Sequence, residues 1–360
     1  MGDNLTEFEK MLSEASEESK NAAPKKRHGL RNTLIVIGSI LALIGIGAGV
    51  AYALLNNAYN EIERVDTVDP ALERPAAVET PAGTNAPINV LLLGSDSRDT
   101  TDPSANAEDL KGFRSDAIMV AQISPKRDHV TVMSIMRDNW VPIQGNGEAK
   151  INAAVAFGGI PLAVNTVENF IDARIDHVAL VDFDSFKGLT DAVGGVTVDN
   201  PIAFTSHHGS FDFPQGKVTL SGEEALGFVR ERYAFDDGDY QRARNQQIYL
   251  KGLLSQMLSK DTLTNPGKIT ATFDALKPYL IVDQDLTLTT AAGLGYDMRN
   301  IRKGDISFFT SPTLGTGTSG DGQSIVLPDW AEIELLRDAM RDGTLDHYAE
   351  TRQTGSELPG

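Results

Sequence analysis

The chain has 360 residues and a formal net charge of −18, from 32 Lys and Arg against 50 Asp and Glu. Nucleic-acid-binding proteins neutralise phosphates with clustered positive charge, so this balance argues against a nucleic-acid partner. The chain has no cysteine, which excludes disulfides, thiolate catalysis and Cys-ligated zinc. With 41% apolar and 23% charged residues, it is neither wholly disordered nor a polytopic membrane protein.

Near the N-terminus, the uncharged segment Leu34–Leu55 predicts one transmembrane helix. Its 22 residues span ~33 Å as a helix, enough to cross a hydrocarbon core of ~30 Å. Ala51-Tyr52-Ala53 resembles a signal-peptide cleavage site, but the long apolar run and the long preceding tail favour an uncleaved anchor. Acidic Glu61 and Glu63 follow the segment, and the basic residues Lys25, Lys26, Arg27 and Arg31 precede it.

This charge asymmetry orients the chain, because positive residues flanking a membrane helix stay in the cytoplasm. We therefore expect a single-pass type II protein of the cell membrane with its main domain outside the cytoplasm. The predicted parts are a cytoplasmic tail (1–33), the transmembrane helix (34–55), a Pro-rich extracytoplasmic linker (56–87), a catalytic domain (88–342) and a polar, disordered tail (343–360).

The predicted domain begins with three apolar runs that read as buried strands, Ile88–Leu93, Ala117–Ile123 and Val130–Ile135. Residues 124–128 between the last two read as a tight turn. The remaining predicted elements are helices at Ile151–Phe157, Leu162–Ile171, Glu223–Val229, Asn245–Leu258 and Ala331–Met340, and strands at His177–Phe183 and Val196–Val198. Alternating strands and helices predict an α/β fold, a mixed central β-sheet flanked by helices on both faces.

Two short patterns suggest chemistry that their context does not support. Gly315, Gly317 and Gly320 match a dinucleotide-binding fingerprint, but no helix signal follows, so we interpret them as a flexible loop. His207 and His208 are adjacent and point in different directions, which makes them a poor metal-binding pair.

Arginines and acids cluster at the ends of predicted elements. The clusters are Gly94-Ser95-Asp96-Ser97-Arg98, Arg114-Ser115-Asp116, Arg137-Asp138, Arg230-Glu231-Arg232 and Asp239-Tyr240-Gln241-Arg242-Ala243-Arg244. Open α/β sheets bind ligands at strand ends, although surface salt bridges would give the same pattern. Guanidinium groups bind phosphate oxygens bidentately, and two carboxylates can hold a Mg²⁺ ion on a diphosphate. Converging on one pocket, these residues would suit a substrate that carries a pyrophosphate.

These segments occur in the order LLLGSDSR, GFRSDAIMV, SIMRDNWV, KINAAVAFGG, DAVGGVTV, LSGEEALGFVRER and GDYQRARNQQ. In that order, from about Asn89 to Met257, the chain resembles the LytR-CpsA-Psr (LCP) family of cell-wall glycopolymer ligases. The resemblance implies transfer of a glycopolymer from a polyprenyl-diphosphate carrier to an acceptor hydroxyl on peptidoglycan or on a surface protein, assisted by Mg²⁺.

The resemblance also implies roles for single residues. Asp96 and Asp116 match the Mg²⁺-associated acids, and either is a candidate base for the acceptor hydroxyl. Gln247 falls in the last motif and is assigned to pyrophosphate binding, as is Arg98. The expected catalytic residues are Asp96, Arg114, Asp116, Arg137, Arg230 and Arg242, and the expected pyrophosphate-binding arginines are Arg98, Arg114, Arg137, Arg230, Arg232 and Arg242. Arg114 follows Asp96 by eighteen positions, a longer separation than the family pattern, which puts the pairing of Asp96 with Asp116 on one metal in doubt.

A polyprenyl substrate also needs an apolar binding site. Two helix faces could line such a tunnel or simply pack in the core, namely Leu162, Val164, Val167, Phe170 and Ile171, and Ile248, Leu250, Leu253 and Leu254. Three alternatives to the ligase remain at this point. They are a polyprenyl-diphosphate-sugar pyrophosphatase, a non-catalytic cell-envelope regulator, and a carbohydrate-binding module, for which no aromatic cluster is evident.

Overall fold

The structure is a computed structural model, and it describes residues 59, 61–80, 83–95, 115–257 and 280–353. The chain divides into two units, Met1–Leu54 and Leu55–Gly360. The first unit lies outside the described residues, and so does the predicted membrane segment Leu34–Leu55. Among the described helices, Ala153–Ile171 is long and apolar enough to span a membrane, but 72% of its apolar stretch is buried within the protein, so it is weak evidence for a span.

The described residues form strands and helices that alternate along the chain. The strands are β1 (Glu63–Val65), β2 (Ile88–Ser95), β3 (Ser115–Ile123), β4 (Val130–Ile135), β5 (Trp140–Ile143), β6 (Gly147–Lys150), β7 (His177–Asp182), β8 (Val196–Asn200), β9 (Phe204–Thr205), β10 (Asp212–Phe213), β11 (Gly216–Leu220), β12 (Ile281–Asp283), β13 (Ile306–Thr310), β14 (Thr313–Thr318) and β15 (Ser324–Pro328). The helices are α1 (Ala153–Ile171), α2 (Phe183–Ala192), α3 (Gly222–Arg230), α4 (Asp239–Met257), α5 (Leu288–Asp297), α6 (Trp330–Asp342) and α7 (Leu345–Gln353).

A seven-stranded sheet in the order β1-β12-β7-β2-β3-β4-β13 forms the centre of the domain. Strands β2, β3 and β4 are antiparallel neighbours, whereas β2 runs parallel to β7 and β13 parallel to β4. The sheet is therefore mixed, as the sequence predicts. Helices α1, α6 and α7 contribute to the hydrophobic core on one face of the sheet. Helices α2, α3 and α4 form a separate apolar cluster with β8 and β11.

Side chains alternate along the central strands between the two faces of the sheet. In β3, Ile118 and Val120 belong to the core shared with α1, whereas Met119, Ala121 and Ile123 line a cavity on the other face. Successive side chains of a strand point to opposite sides, so a strand that is apolar on both reads as a continuous run. The sequence pattern of β2, β3 and β4 therefore arises from one packed face and one cavity-lining face.

Two segments that flank the predicted catalytic domain differ from the sequence predictions. The predicted linker, 56–87, contains edge strand β1, whose Val65 joins the core. Arg74 donates from Nε to Glu168 Oε2 at 2.8 Å, and the Glu168 side chain is fully buried. Much of this segment is therefore part of the domain, because it supplies buried apolar groups and the partner of a buried carboxylate.

The predicted disordered tail, 343–360, is wrong for its first part. Helix α7 buries Leu345 and Ala349 in the main core, and the Tyr348 ring lies 5.8 Å from that of Phe309. The glycine-rich segment Gly315–Gly320 is also more regular than the loop interpretation implies, since it spans β14 and the start of the turn to β15. As expected, no helix follows it directly.

A buried ion pair joins β7 to β12. His177 Nδ1 lies 3.2 Å from Asp283 Oδ1, and Asp283 Oδ2 accepts the Val178 N–H at 2.9 Å. The hydrogen bond to Asp283 raises the pKa of His177 above its ordinary value of 6.5, against the opposing effect of burial. Burial would raise the pKa of Asp283, but His177 and the backbone donors outweigh it and hold that pKa below 3.8.

We predict that this pair makes unfolding pH-dependent. The His177 contribution is fully present below pH 6.5 and is lost as the pH rises through the raised folded-state pKa. The Asp283 contribution is present above pH 3.8 and is lost as the pH falls through the lowered one. The substitution His177→Asn keeps a hydrogen-bond donor but does not titrate. The wild type should lose roughly 1–3 kcal/mol of unfolding free energy as the pH rises, and the variant should not show this loss. Urea unfolding at pH 5.5 and 8.5 measures this, and equal pH dependence in both proteins would contradict it.

Candidate active site

The register of the central sheet brings Asp116 beside Arg137. Ile118 pairs with Ile135 in the antiparallel β3–β4 ladder, and continuing that register by two positions sets residue 116 opposite residue 137. Arg137 Nη1 donates to Asp116 Oδ1. A turn after β4 fixes the backbone of Arg137, where its carbonyl accepts the Asn152 N–H at 3.1 Å. The two side chains keep 18% and 19% of their surface exposed, so the pair borders solvent.

Asp239, at the start of α4, lies among three arginines. Its Oδ2 is 3.0 Å from Arg242 Nη2 and 3.5 Å from Arg137 Nε, and its Oδ1 is 3.6 Å from Arg232 Nη1. Arg242 lies one turn further along α4, so the helix sets its distance from Asp239. One carboxylate therefore holds guanidinium groups from three different parts of the chain within ion-pair distance.

Glu231 shapes the turn that carries Arg230 and Arg232. Its carboxylate is fully buried and accepts backbone N–H groups from His207 at 2.5 Å, Tyr233 at 2.7 Å and Ala234 at 3.0 Å. Burial alone would raise the pKa of Glu231, but these donors outweigh it and lower that pKa. Glu231 thus stays ionised and fixes the backbone between the last residue of α3, Arg230, and the loop residue Arg232.

The packing of α3 on α4 sets the spacing of the arginines they carry. Asn245 is fully buried, and its Nδ2 donates to the Phe228 carbonyl at 3.1 Å. Gln241 Nε2 donates to Asn245 Oδ1 at 2.9 Å, which orients the amide. These bonds join the end of α3 to the first half of α4, so Arg230 and Arg242 belong to two helices that are packed together.

The arginines of the site are not electrostatically equivalent. Burial lowers the pKa of Arg137, but Asp116 and Asp239 outweigh it and raise that pKa above the ordinary value. For Arg242, whose side chain is 9% exposed, burial and repulsion from Arg137 lower the pKa despite Asp239. Both remain charged, because an arginine pKa lies far above neutral pH. Burial therefore outweighs the nearby carboxylates at Arg242, and the carboxylates outweigh burial at Arg137.

An apolar cavity of about 1000 Å³ extends from this charged group across the free face of the sheet. Its wall includes β3 from Ala117 to Ile123, a distance of about 20 Å at ~3.4 Å per residue. Helix α4 covers it with Leu250, Leu253 and Leu254. The residues at its charged end are Asp116, Arg137, Arg230, Arg232 and Arg242. The cavity thus combines a long apolar interior with a cationic end.

Of the two helix faces considered for an apolar tunnel, the α4 face lines the cavity at most of its positions and the α1 face packs in the core. Leu250, Leu253 and Leu254 line the cavity, but Ile248 does not. The five α1 residues pack in the core on the opposite face of the sheet, and these residues are Leu162, Val164, Val167, Phe170 and Ile171. Both helices are apolar, and only the topology of the sheet decides which of them faces the cavity.

Five of the predicted site residues converge at this end of the sheet, namely Asp116, Arg137, Arg230, Arg232 and Arg242. Three others, Asp96, Arg98 and Arg114, lie outside the described residues. Gln247 has a different environment from the one predicted for a pyrophosphate ligand. Its Nε2 donates to Ser134 Oγ at 2.9 Å and to the Phe309 carbonyl at 3.0 Å, which joins α4 to the sheet, and Gln246 lines the cavity instead.

Sequence reasoning did not assign Asp239 or Glu231 to the site. Both stand within the quoted arginine segments, so a signal was available: clustered arginines need carboxylates between them. Lys150 also lies nearby, with Nζ 3.4 Å from Asp138 Oδ1. Arg244 faces elsewhere and pairs with Asp237.

The donor set is compatible with Mg²⁺ only in part. The described residues contain no group of three or more His, Asp or Glu side chains placed to hold a metal ion. Mg²⁺ commonly takes one or two protein carboxylates and completes its shell with water and substrate phosphates. Asp116 offers one such carboxylate at the edge of the cavity, and Asp96, the second expected ligand, lies outside the described residues.

Residues 52–342 match the LytR_cpsA_psr family, so the chain belongs to this family of transferases. It is 31% identical over 314 residues to the polyisoprenyl-teichoic acid–peptidoglycan teichoic acid transferase TagU of Enterococcus faecalis, covering 86% of this chain and 94% of that protein. The TagU protein of Halalkalibacterium halodurans is 34% identical over 247 residues, covering 67% and 77% respectively. The crystal structure of B. subtilis TagV superposes with a TM-score of 0.61 at 29% identity, covering 73% of this chain and 98% of that one.

We predict that Asp239 holds the arginines together in the absence of a bound anion. In Asp239→Asn, repulsion among Arg137, Arg232 and Arg242 should lower the melting temperature by about 2–4 °C for each kcal/mol lost. Millimolar pyrophosphate should restore more stability to this variant than to the wild type, because the anion replaces the missing charge. Thermal unfolding with and without pyrophosphate measures both effects.

Asp237→Asn is the matched control, because Asp237 pairs with Arg244 outside the cluster. It should show the wild-type response to pyrophosphate. An equal pyrophosphate-induced shift in Asp239→Asn and in the wild type would contradict the assigned role of Asp239.

Proposed function

We propose that this transferase moves a glycopolymer from a polyprenyl-diphosphate carrier to an acceptor hydroxyl on peptidoglycan or on a surface protein. The observation that carries the proposal is the apolar cavity with four arginines at one end, Arg137, Arg230, Arg232 and Arg242. A polyprenyl diphosphate has the same polarity, a long apolar chain that ends in a strongly anionic group. The names of the TagU relatives support polyisoprenyl-linked polymers as donors and peptidoglycan as the acceptor.

The cationic end of the cavity suits a diphosphate. Guanidinium groups bind phosphate oxygens through paired, charge-assisted hydrogen bonds. Arg137 Nε makes no hydrogen bond among the described residues, and its contact with Asp239 Oδ2 at 3.5 Å is an ion pair. The low exposure of Arg242 strengthens its interaction with an anion, since nearby water is limited.

In the proposed reaction, the acceptor hydroxyl oxygen attacks the sugar-linked phosphorus. A new P–O bond forms to the acceptor, the bridging P–O bond breaks, and polyprenyl phosphate leaves with the bonding electrons. The hydroxyl proton passes to a carboxylate, for which Asp116 and Asp96 are the candidates. The arginines stabilise the charge that accumulates on the phosphate oxygens, which is the main requirement of phosphoryl transfer.

A magnesium ion belongs to this proposal. Asp116 and Asp96 would hold it together with oxygens of the diphosphate. Such an ion supplies additional neutralisation of phosphate charge. The position of Asp116 at the cavity edge, beside Arg137, is the feature of the described residues that supports it.

The proposed location is the outer face of the cell membrane. The apolar segment Leu34–Leu55 would anchor the chain, with the basic residues before it in the cytoplasm. Tyr59, four residues after this segment, is buried, and its hydroxyl donates to the Leu286 carbonyl at 2.8 Å. The described part of the domain therefore begins, along the sequence, within a few residues of the proposed anchor.

The decisive experiment incubates the full-length protein in detergent with a polyprenyl-diphosphate-linked glycan and Mg²⁺, with and without a peptidoglycan acceptor. We predict acceptor-dependent release of polyprenyl phosphate, which EDTA should abolish. Arg137→Ala should reduce kcat about 100- to 1000-fold, the usual cost of removing one group that stabilises transition-state charge. Arg244→Ala is the matched control and should react normally, because Arg244 pairs with Asp237 and does not line the apolar cavity.

Other outcomes distinguish the alternatives. Release of polyprenyl phosphate together with the glycan phosphate, at the same rate with and without acceptor, would indicate a pyrophosphatase. Normal turnover by Arg137→Ala would remove the arginine cluster from the mechanism. Binding of the lipid without any turnover would contradict the transferase and favour a regulatory role in the cell envelope.

A further inference from the structure

A second cavity, about 890 Å³ in volume, adjoins the arginine cluster. Its walls come from the β6–α1 junction, from residues 236–240 at the start of α4, and from the β14–β15 hairpin. Of the described residues, Arg137 and Arg232 alone line both cavities. A molecule in the second cavity would therefore lie next to a diphosphate bound at the arginines without entering the apolar cavity.

The charges of this second cavity do not suit an anionic polymer. The described residues of its lining include four acids and three bases, a formal sum of −1. Two of the bases, Arg137 and Arg232, are the residues that the diphosphate would engage. The side chains that remain, such as Lys150, Asp138 and Gln323, offer hydrogen-bond donors and acceptors with an excess of negative charge. This chemistry suits the hydroxyl and amide groups of a glycan strand better than a chain of phosphates.

Phe157 places an exposed aromatic ring in the wall of this second cavity. The residue is 51% exposed and lines the cavity. Exposing a phenyl ring beside a charged cluster forfeits burial energy, so the arrangement is typical of a binding surface rather than of the core. A flat ring among hydrogen-bonding groups can pack against the C–H face of a pyranose ring while polar neighbours bind its hydroxyls.

The backbone around Phe157 is built to hold the ring there. Helix α1 is interrupted immediately after it, because Gly158 and Gly159 leave helical geometry, and Gly159 has φ 68°. A Cβ on Gly158 would lie 2.7 Å from Leu162 Cβ, which is too close for a real contact. Residues 153–157 therefore form a separate short turn whose last residue is Phe157, ahead of the buried remainder of the helix.

The direction of the reaction gives this cavity a role. In-line displacement at phosphorus requires the attacking oxygen to approach opposite the leaving oxygen. If the polyprenyl chain occupies the apolar cavity, the leaving bridging oxygen faces that cavity. The acceptor must then approach from the other side of the arginine cluster. The second cavity adjoins the cluster on a side that does not lie over the sheet face.

We propose that the second cavity binds the saccharide of the acceptor and that Phe157 packs against one sugar ring of this saccharide. This inference rests on the proposed function, which it deepens by assigning the acceptor its own binding site. Phe157 is a positioning and specificity residue here. It takes no part in the transfer of the phosphoryl group or of the proton.

The test compares Phe157→Ala with wild type in the full-length protein, using a lipid-linked donor and a soluble, uncrosslinked peptidoglycan strand as acceptor. We expect the acceptor KM to rise roughly 3- to 10-fold, the usual effect of losing one aromatic packing contact, while the donor KM stays unchanged. Phe157→Tyr should keep the wild-type acceptor KM. Leu335→Ala, which truncates an exposed apolar residue of α6 outside both cavities, is the matched control and should change neither constant.

Binding of the same strand, measured by calorimetry without donor, makes the test independent of turnover. Weaker binding by Phe157→Ala than by Leu335→Ala supports the acceptor site even if the proposed transfer itself fails. An unchanged acceptor affinity in Phe157→Ala would overturn the inference. A rise in the donor KM alone would also overturn it, because the cavity would then hold the donor glycan.

Discussion

Among the described residues, four arginines lie at one end of an apolar cavity, and holding that many positive charges together requires carboxylates among them. Asp239 meets this requirement by contacting Arg137, Arg232 and Arg242, and Asp116 pairs with Arg137 on the sheet side. Without these carboxylates the guanidinium groups would repel one another, and the buried charge of Arg242 would destabilise the folded protein. The free protein is thus organised around a charge pattern that a diphosphate would complete.

The same strands supply both the stability of the domain and the space for a ligand. Leu91, Val120 and Met133 face α1 in the main core, whereas Leu92, Met119 and Val132 face the cavity. A sheet with two apolar faces normally buries both under helices. Here α4 lies over the second face at a distance, with the cavity between them. Because its start carries Asp239 and Arg242, one helix sets both the roof of the cavity and its charged end.

Much of this arrangement follows from the sequence, because its patterns are local. Continuous apolar runs predict β2, β3 and β4, and arginines at element ends predict the site. The tunnel assignment of Leu162 and Phe170 could not be corrected from the sequence, because an apolar helix looks the same beneath either face. Gln247 was misplaced for a similar reason, since only the orientation of α4 decides that Gln246 faces the cavity. The structure of the described parts of 56–87 and 343–360 depends on long-range partners such as Glu168 and Phe309, which composition does not reveal.

The central claim is that one cavity binds the lipid chain and the arginines at its end bind the diphosphate. The most direct measurement is a crystal structure of the protein with a polyprenyl-diphosphate analogue. We predict phosphate oxygens within hydrogen-bonding distance of Arg137, Arg230, Arg232 and Arg242, with the prenyl chain along β3 from Ala117 toward Ile123. Phosphates bound away from these arginines, or a prenyl chain outside the sheet-face cavity, would contradict the account.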